Sequence, residues 1–349
     1  MEQFVFADRF FLEDGVAGPG YLEIKEGKFG SFLVTLPTES AYFINYEGKW
    51  IAPGLVDTHI HGFKNHDIIA NDLEVLKAIS EGLLSCGVTS FLPTTLTSSP
   101  EMLNEVVKMI WENYTKVRGA KIKGIFLEGP FFTEKHRGAQ NTKYFCDPSV
   151  EMLETWQKHL NHFIKKIALA PERKGAMEFI EHAVNDQVMV ALAHSDAAYI
   201  EAKHAVEKGT SIFVHTFNGM SGLHHHEPGM IGAAMNLPEG LYQLGEFPVE
   251  VKNGAVRLET ESLADSILQL KEVVKNVVDW GIATPEEAFY MASTAPAKSI
   301  SIDGECGMIA TGYDADFIVL TPELELTATY LDGVCRFQTE NLIGKEGVQ

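Results

Sequence analysis

Short apolar runs alternate with amphipathic stretches through the middle of this chain, and that rhythm is its clearest feature. Ile51–Gly62 (IAPGLVDTHIHG) opens it as a strand. Leu73–Ser85 has apolar positions at helical spacing. Val88–Thr95 reads as a second strand. A helix follows from Ser99-Pro100 to about Val117, where Pro suits the first turn. Lys123–Leu127 is a third strand and runs into Glu128-Gly129-Pro130, then a long polar loop, 131–147. Pro148–Leu160 (helix), Ile164–Ala170 (strand), Gly175–Asn185 (helix), Val188–Ala193 (strand), Ala197–Lys208 (helix) and Ser211–Val214 (strand) continue the alternation. Buried apolar strands separated by helices predict a parallel α/β structure, and this length of alternation predicts a (β/α)8-type barrel.

The rhythm differs at both ends. Gln3–Ala7, Tyr21–Lys25, Lys28–Val34 and Ala41–Asn45 are β-rich, and Gly304–Gly312, Ala315–Leu320, Leu324–Leu331 and Val334–Gln338 read likewise. The two ends are expected to pair into a small β-sandwich domain, 1–51 with 300–349, around a barrel at 52–299. After the sixth barrel strand the pattern breaks. His224–Pro238 reads as a loop, and Leu241–Leu258 as strand pairs with a turn at Asn253-Gly254. Leu263–Trp280 and Pro285–Ala292 read as helices. Barrel strands seven and eight are absent from the pattern, so a segment is expected to be missing between the sixth strand and the final helices.

Composition narrows the partners. Of 349 residues, 45% are hydrophobic and 22% charged, a soluble globular profile. The formal net charge of −20 argues against nucleic acid or an anionic membrane as partner. Four dispersed cysteines, Cys86, Cys146, Cys306 and Cys335, suit a reduced cytoplasmic protein. The N-terminus lacks a secretory profile, and no apolar run is long enough to span a membrane.

Candidate chemistry sits at strand ends, where barrel active sites lie. His59 and His61 stand two apart, so on a strand their imidazoles share one side. Alone, such a pair is as readily two satisfied core histidines. Glu128, His194 and His215, however, also terminate apolar runs, on the third, fifth and sixth strands. Histidines with a carboxylate can hold a divalent ion and leave a coordination position open for hydrolysis.

The segments PGLVDTHIHG, LEGPF, AHSDA, HTFNGM, EPGMIGAAMN, STAPAK and GYDADFIVL together resemble the amidohydrolase superfamily and, more closely, the N-acetylglucosamine-6-phosphate deacetylase family. The resemblance covers nearly the whole chain. It implies hydrolysis of an amino-sugar phosphate to the free amine and acetate. It also implies a divalent cofactor (Zn, Fe, Mn or similar, one or two per chain) and a homodimer. Glu128, His194 and His215 match the metal ligands, with His59 and His61 where some members hold a second ion. Ala139, Gln140, Asn218, Gly219, Leu263, Ala264 and Asp265 match substrate-contacting positions. His226 falls where relatives often carry an Arg near the sugar phosphate, although HHHEPG also reads as a solvated loop. The family has, between the equivalents of Asn236 and Leu237, a D-G-x-H strand end and a T-D strand end carrying the acid/base Asp. Neither is present here, so the catalytic residue is unassigned; Asp196 and Asp265 are nearby acids without that role. Two alternatives follow: a metal- and sugar-binding relative without turnover, or an amidohydrolase for another N-acyl substrate.

Overall fold

The computed structural model describes residues 2–38, 41–236, 250–252, 255–257, 263–265 and 268–339. Its centre is a parallel sheet whose strands follow chain order: Leu55–Ile60, Val88–Thr95, Ile125–Phe131, Ile164–Leu169, Met189–Leu192 and Ile212–Phe213. The third strand begins earlier, as Lys121–Ile122, and is interrupted before Ile125. All eight residues of Val88–Thr95 and all seven of Ile125–Phe131 are buried. One face of such strands meets helices and the other fills the barrel, and Thr89, Ser90, Thr94, Thr95 and Glu128 are buried with the apolar residues.

The helices between them have legible starts. Asp72, Ser99 and Ser149 each accept a backbone N–H in the first turn of Leu73–Leu83, Pro100–Asn113 and Val150–His159. Their buried faces (Leu76, Ile79 and Leu83; Leu103, Val106 and Ile110; Leu153 and Trp156) join the outer strand faces in one core. Inside the barrel, Val56, Leu92, Phe126, Ala168, Ala191 and Val214 pack together. Ala297, in the last helix (Ala295–Ser299), and Ile300, Ile302 and Cys306, which follow it, complete that cluster.

Both ends of the chain build one eight-stranded sheet. Its order is Val334–Gln338, Leu326–Leu331, Phe317–Leu320, Phe43–Pro53, Glu2–Leu12, Gly20–Lys25 and Lys28–Leu33, with Gly15–Ala17 paired beside Glu2–Leu12. Phe29 N–H donates to Tyr313 O (2.9 Å), so the sheet folds back on a core of its own. That core includes Val5, Phe10, Leu22, Phe317 and Tyr330.

Three segments depart from the sequence-based expectation. Gly229–Asn236 is helical, within the stretch expected to be loop. Pro228-Gly229 reads as a breaker, but here it precedes the first turn, and the run behind it is rich in Ala and Met. Leu263–Asp265 is not the start of a helix: it pairs antiparallel with Ala255–Arg257, which pairs with Glu250–Lys252. The following helix is Leu270–Asp279, opened by Gln269 N–H donating to Glu272 (2.8 Å). Gly304–Gly312 is a succession of turns, with Gly307 and Gly312 at positive φ. Among the described residues no strand continues the parallel sheet beyond Ile212–Phe213. Residues 237–249, and with them the expected discontinuity after Asn236, lie outside the described residues.

Candidate metal centre

The strand ends bring five ligand-type side chains to one point. His59 and His61 close the first strand, Glu128 lies in the third, and His194 and His215 follow the fifth and sixth. All five are buried, and they form two triads sharing Glu128: His59, His61, Glu128 and Glu128, His194, His215. The Nε2 atoms of His59 and His61 are 3.2 Å apart, as are those of His194 and His215. Glu128 Oε2 lies 3.0 Å from His61 Nε2. Glu128 Oε1 stands 3.5 Å from His59 Nε2 and 3.6 Å from those of His194 and His215. That oxygen is buried and has no hydrogen-bond partner.

Backbone carbonyls set the tautomers. His194 Nδ1 is 2.9 Å from His136 O, His215 Nδ1 is 2.7 Å from Asn218 O, and His61 Nδ1 is 3.2 Å from Thr94 O. A carbonyl only accepts, so each Nδ1 carries the proton and each neutral ring offers a bare Nε2 lone pair. His59 differs, since its buried Nδ1 has no partner. Burial lowers His59 to about 3 and lowers His194 as well, which keeps those rings neutral.

Bare lone pairs and an unpartnered carboxylate oxygen converging without a donor repel one another. A divalent cation relieves this. Two ligands ~2.0–2.1 Å from one ion at a tetrahedral angle lie about 3.3–3.4 Å apart, close to the observed separations. The residues present therefore fit a divalent metal ion.

Local backbone conformation aims these side chains. His194 and His215 have φ of 46° and 38°, in the left-handed region that non-glycine residues enter reluctantly. Gly219 (φ +63°) closes over both: a Cβ there would stand 3.0 Å from His215 Cε1 and 3.3 Å from His194 Nδ1. Phe126 and Phe132 pack edgewise against His59 and at a tilt against His194, with centroids 5.0 and 4.7 Å away.

The structure separates the expected substrate residues. Gln140 is buried beneath the cluster: its Nε2 donates to Glu128 Oε2 (3.0 Å), and its Oε1 accepts Thr97 N–H (2.8 Å). Ala139 is half-buried beside it. Asn218 and Gly219 meet the centre through their backbone, Asn218 O on His215 and Gly219 O on Ser195 N–H (3.2 Å). His226 is exposed, its ring against His224 and His225. Leu263, Ala264 and Asp265 form the strand described above. Asp196 pairs with Lys135 (2.7 Å) and His136 (3.0 Å) at the rim.

Two charged groups escaped the sequence reading. Lys166 is fully buried, shares the barrel-facing side of its strand with Ala168, and places its ammonium 4.3 Å over the Phe126 ring. Burial lowers it to about 7, against the pull of Glu128 and Asp57. Asp57 is pushed up to about 6 by burial, although His59 N–H donates to it (3.0 Å). Strand alternation gives the one available signal, since Lys166 and Ala168 share a face.

Comparison with known proteins agrees with this geometry. The family described as "Amidohydrolase family" matches residues 261–336. An N-acetylglucosamine-6-phosphate deacetylase of Vibrio furnissii is 32% identical over 326 residues, covering 81% of this chain and 82% of the relative. The chain belongs to the N-acetylglucosamine-6-phosphate deacetylase family. An N-acetylgalactosamine-6-phosphate deacetylase of Escherichia coli O157:H7 is 29% identical, covering 94% and 97% of the two chains. Crystal structures of N-acetylglucosamine-6-phosphate deacetylases share the fold. That from Pasteurella multocida superimposes with TM-score 0.87 at 22% identity, covering 95% of this chain and 99% of the other. That from Thermotoga maritima gives 0.82 at 26%, covering 96% and 100%. The chain thus shares the (β/α)8-type fold of the deacetylase family, with six of its parallel strands among the described residues.

Proposed function

We propose that this chain hydrolyses the acetamide of N-acetylglucosamine 6-phosphate, giving acetate and glucosamine 6-phosphate. The observation that carries this reading is the buried convergence of His59, His61, His194 and His215 on Glu128, with Oε1 unpartnered. A divalent ion bound there supplies Lewis acidity, polarising a carbonyl and acidifying water. The chain's own residues supply the rest. Three carbonyls fix three imidazole tautomers, and Gln140 anchors the Glu128 carboxylate through Oε2. The apolar barrel wall beneath keeps bulk water away, which strengthens every charge interaction at the centre. Glu128, His194 and His215 are assigned to one ion. His59 and His61 are assigned to a second that shares Glu128, so two ions per chain are expected at saturation.

Around this centre we assign Ala139, Gln140, Asn218, Gly219, Leu263, Ala264 and Asp265 to the sugar side and His226 to the phosphate side. A homodimer working in the cytoplasm is the setting proposed, supported by the family resemblance and by four free cysteines. Among the described residues no helix is long and apolar enough to cross a membrane.

The deciding experiment is a deacetylase assay of the purified, metal-loaded chain. N-acetylglucosamine 6-phosphate, its 4-epimer N-acetylgalactosamine 6-phosphate and unphosphorylated N-acetylglucosamine are compared. The first is expected to give the highest kcat/KM. No acetate release from any of them would overturn the proposal, and a preference for the 4-epimer would reassign the substrate. In parallel, His194→Ala is expected to lose the ion assigned to Glu128, His194 and His215, one of the two per chain. Full occupancy in that variant would remove His194 from the ligand set.

A further inference from the structure

Glu172 lies just beyond the fourth barrel strand, in Ala170-Pro171-Glu172-Arg173, and supplies no atom to the metal centre. Its carboxylate nevertheless ties two ligand-bearing exits together. Oε1 accepts from Thr133 Oγ1 (2.6 Å) and from Asp196 N–H (2.7 Å), and Oε2 accepts from Ser195 Oγ (2.6 Å). Thr133 belongs to the loop after Glu128, and Ser195 and Asp196 follow His194 directly.

The hydroxyl of Thr133 has one proton and two candidate acceptors, Glu172 Oε1 at 2.6 Å and His194 O at 3.1 Å. The shorter, charge-assisted bond takes it. Thr133 N–H then holds His194 O, also at 3.1 Å. On the other side, Ser195 N–H donates to Gly219 O (3.2 Å), and Ser195 O accepts Ser221 N–H (3.1 Å). With Ala193 N–H donating to Leu169 O (3.1 Å), His194 is therefore gripped on both sides of its own Cα while its φ sits at 46°. A residue in that region keeps its conformation when the surroundings over-determine it. Here the three bonds to Glu172 contribute to that restraint.

We propose that Glu172 is a positioning residue of the metal centre. It holds the His194–Asp196 turn so that His194 Nε2 meets His215 Nε2 and Glu128, and its loss weakens ion binding without removing a ligand. This rests on the reading of the cluster as a metal site, and the two can be tested apart. Zn2+ affinity is measured by competition with a chromogenic chelator on the native chain, His194→Ala, Glu172→Gln and Glu172→Ala. Visible spectra of the Co2+-loaded forms report the ligand geometry. The native chain should bind, His194→Ala should lose the ion assigned to Glu128, His194 and His215, and both Glu172 variants should bind that ion at least tenfold more weakly with altered Co2+ bands. Failure of the native chain to bind Zn2+ defeats the metal reading itself, and native affinity in His194→Ala removes His194 from the ligand set and with it the premise of this proposal. Native affinity within twofold and an unchanged Co2+ spectrum in folded Glu172→Gln overturn the role of Glu172 and leave the metal site standing. A lowered Tm with unchanged affinity counts as the same refutation. Should neither Glu172 variant fold, Thr133→Val, which removes one donor and leaves the carboxylate, is judged by the same two readouts.

Discussion

Gln140 spans two elements with one amide, donating to Glu128 and accepting from Thr97, and at 4% exposure it has no water to replace either partner. Gln140→Leu keeps the volume but strands a carboxylate oxygen and a backbone N–H. The expected cost is about 1–3 kcal/mol in a denaturant titration, with weaker ion binding. An unchanged midpoint would show that the buried amide is replaceable. Gly219→Ala makes a second residue-level case. The new methyl group meets His215 and His194 at φ +63°, so ion affinity should fall while the distant end sheet stays intact, as amide exchange can read out. The five ligand-type residues were legible because each sits where an apolar run stops. The carbonyls of Thr94, His136 and Asn218 that fix the imidazoles were not. A carbonyl is present at every residue, and its aim depends on φ and ψ that no side-chain pattern encodes. Gln140 was noticed as a substrate-contacting position, and the structure adds that its amide engages Glu128 and Thr97 N–H.

Among the elements, the joint between barrel and end sheet has a chemistry of its own. Lys121, in the first part of the third barrel strand, reaches Asp314 (2.9 Å), Asp316 (2.9 Å) and Asp332 (2.6 Å). Burial would lower the Lys121 ammonium, but the carboxylates, Asp316 foremost, hold it above its ordinary value. Asp316 is pushed up to about 6 by burial, even with Lys121 beside it. Lys121→Met leaves Asp316 and Asp332 without this ammonium, while Asp314 keeps Lys28 (2.6 Å), and should destabilise the fold by about 3 kcal/mol at pH 7. The sign of the pH effect follows from Asp316. Its folded value lies above the unfolded 3.8, so the folded form takes up the proton first. Acidification from about 6 toward 4 therefore favours folding through this group, and more so once Lys121 is gone. Thermal melts of the variant should narrow their gap to the native chain between pH 7 and pH 5; a constant or widening gap would refute the argument. Element type was read well where strands are fully buried or helices carry a cap, as at Val88–Thr95 and Pro100–Asn113. It failed where local signals were ambiguous. Leu263–Asp265 is apolar at its start like the helix behind it, and its strand pairing comes from residues elsewhere. Pro228-Gly229 marks a helix start with residues that more often mark a stop.

For the molecule as a whole, the metal centre joins four different strand ends, so an ion bound there cross-links the barrel. Ion binding to the folded chain alone stabilises it by about 4 kcal/mol when free ion stands a thousandfold above its dissociation constant. Chelation should accordingly lower Tm, and re-addition of Zn2+ should restore it in a concentration-dependent way. A melting curve indifferent to chelator would contradict a site at this position. The barrel and the joining of the chain's two ends were legible in the sequence, because alternation of strand and helix repeats many times. The closing of the barrel interior by Ala297, Ile300, Ile302 and Cys306 was not, since those residues are ordinary in composition and reach the barrel only through tertiary packing.

That joining of the ends has a consequence in time. Phe43–Pro53 lies mid-sheet, between Glu2–Leu12 and Phe317–Leu320. During synthesis its second neighbour does not exist until the ribosome has passed the whole barrel. At roughly 5–20 residues per second, that interval lasts on the order of 15–50 seconds. For that period one edge of a long strand, including Trp50 and Ile51, has no partner, the condition under which chains pair wrongly with one another. The barrel is thus made while the sheet that flanks it is still half built, and the final strands act as a clasp. Stalled nascent chains ending before Phe317 should be cut by protease within the first 53 residues, and chains extended past Gln338 should resist. Equal resistance in both would mean that the early strands find another cover while they wait.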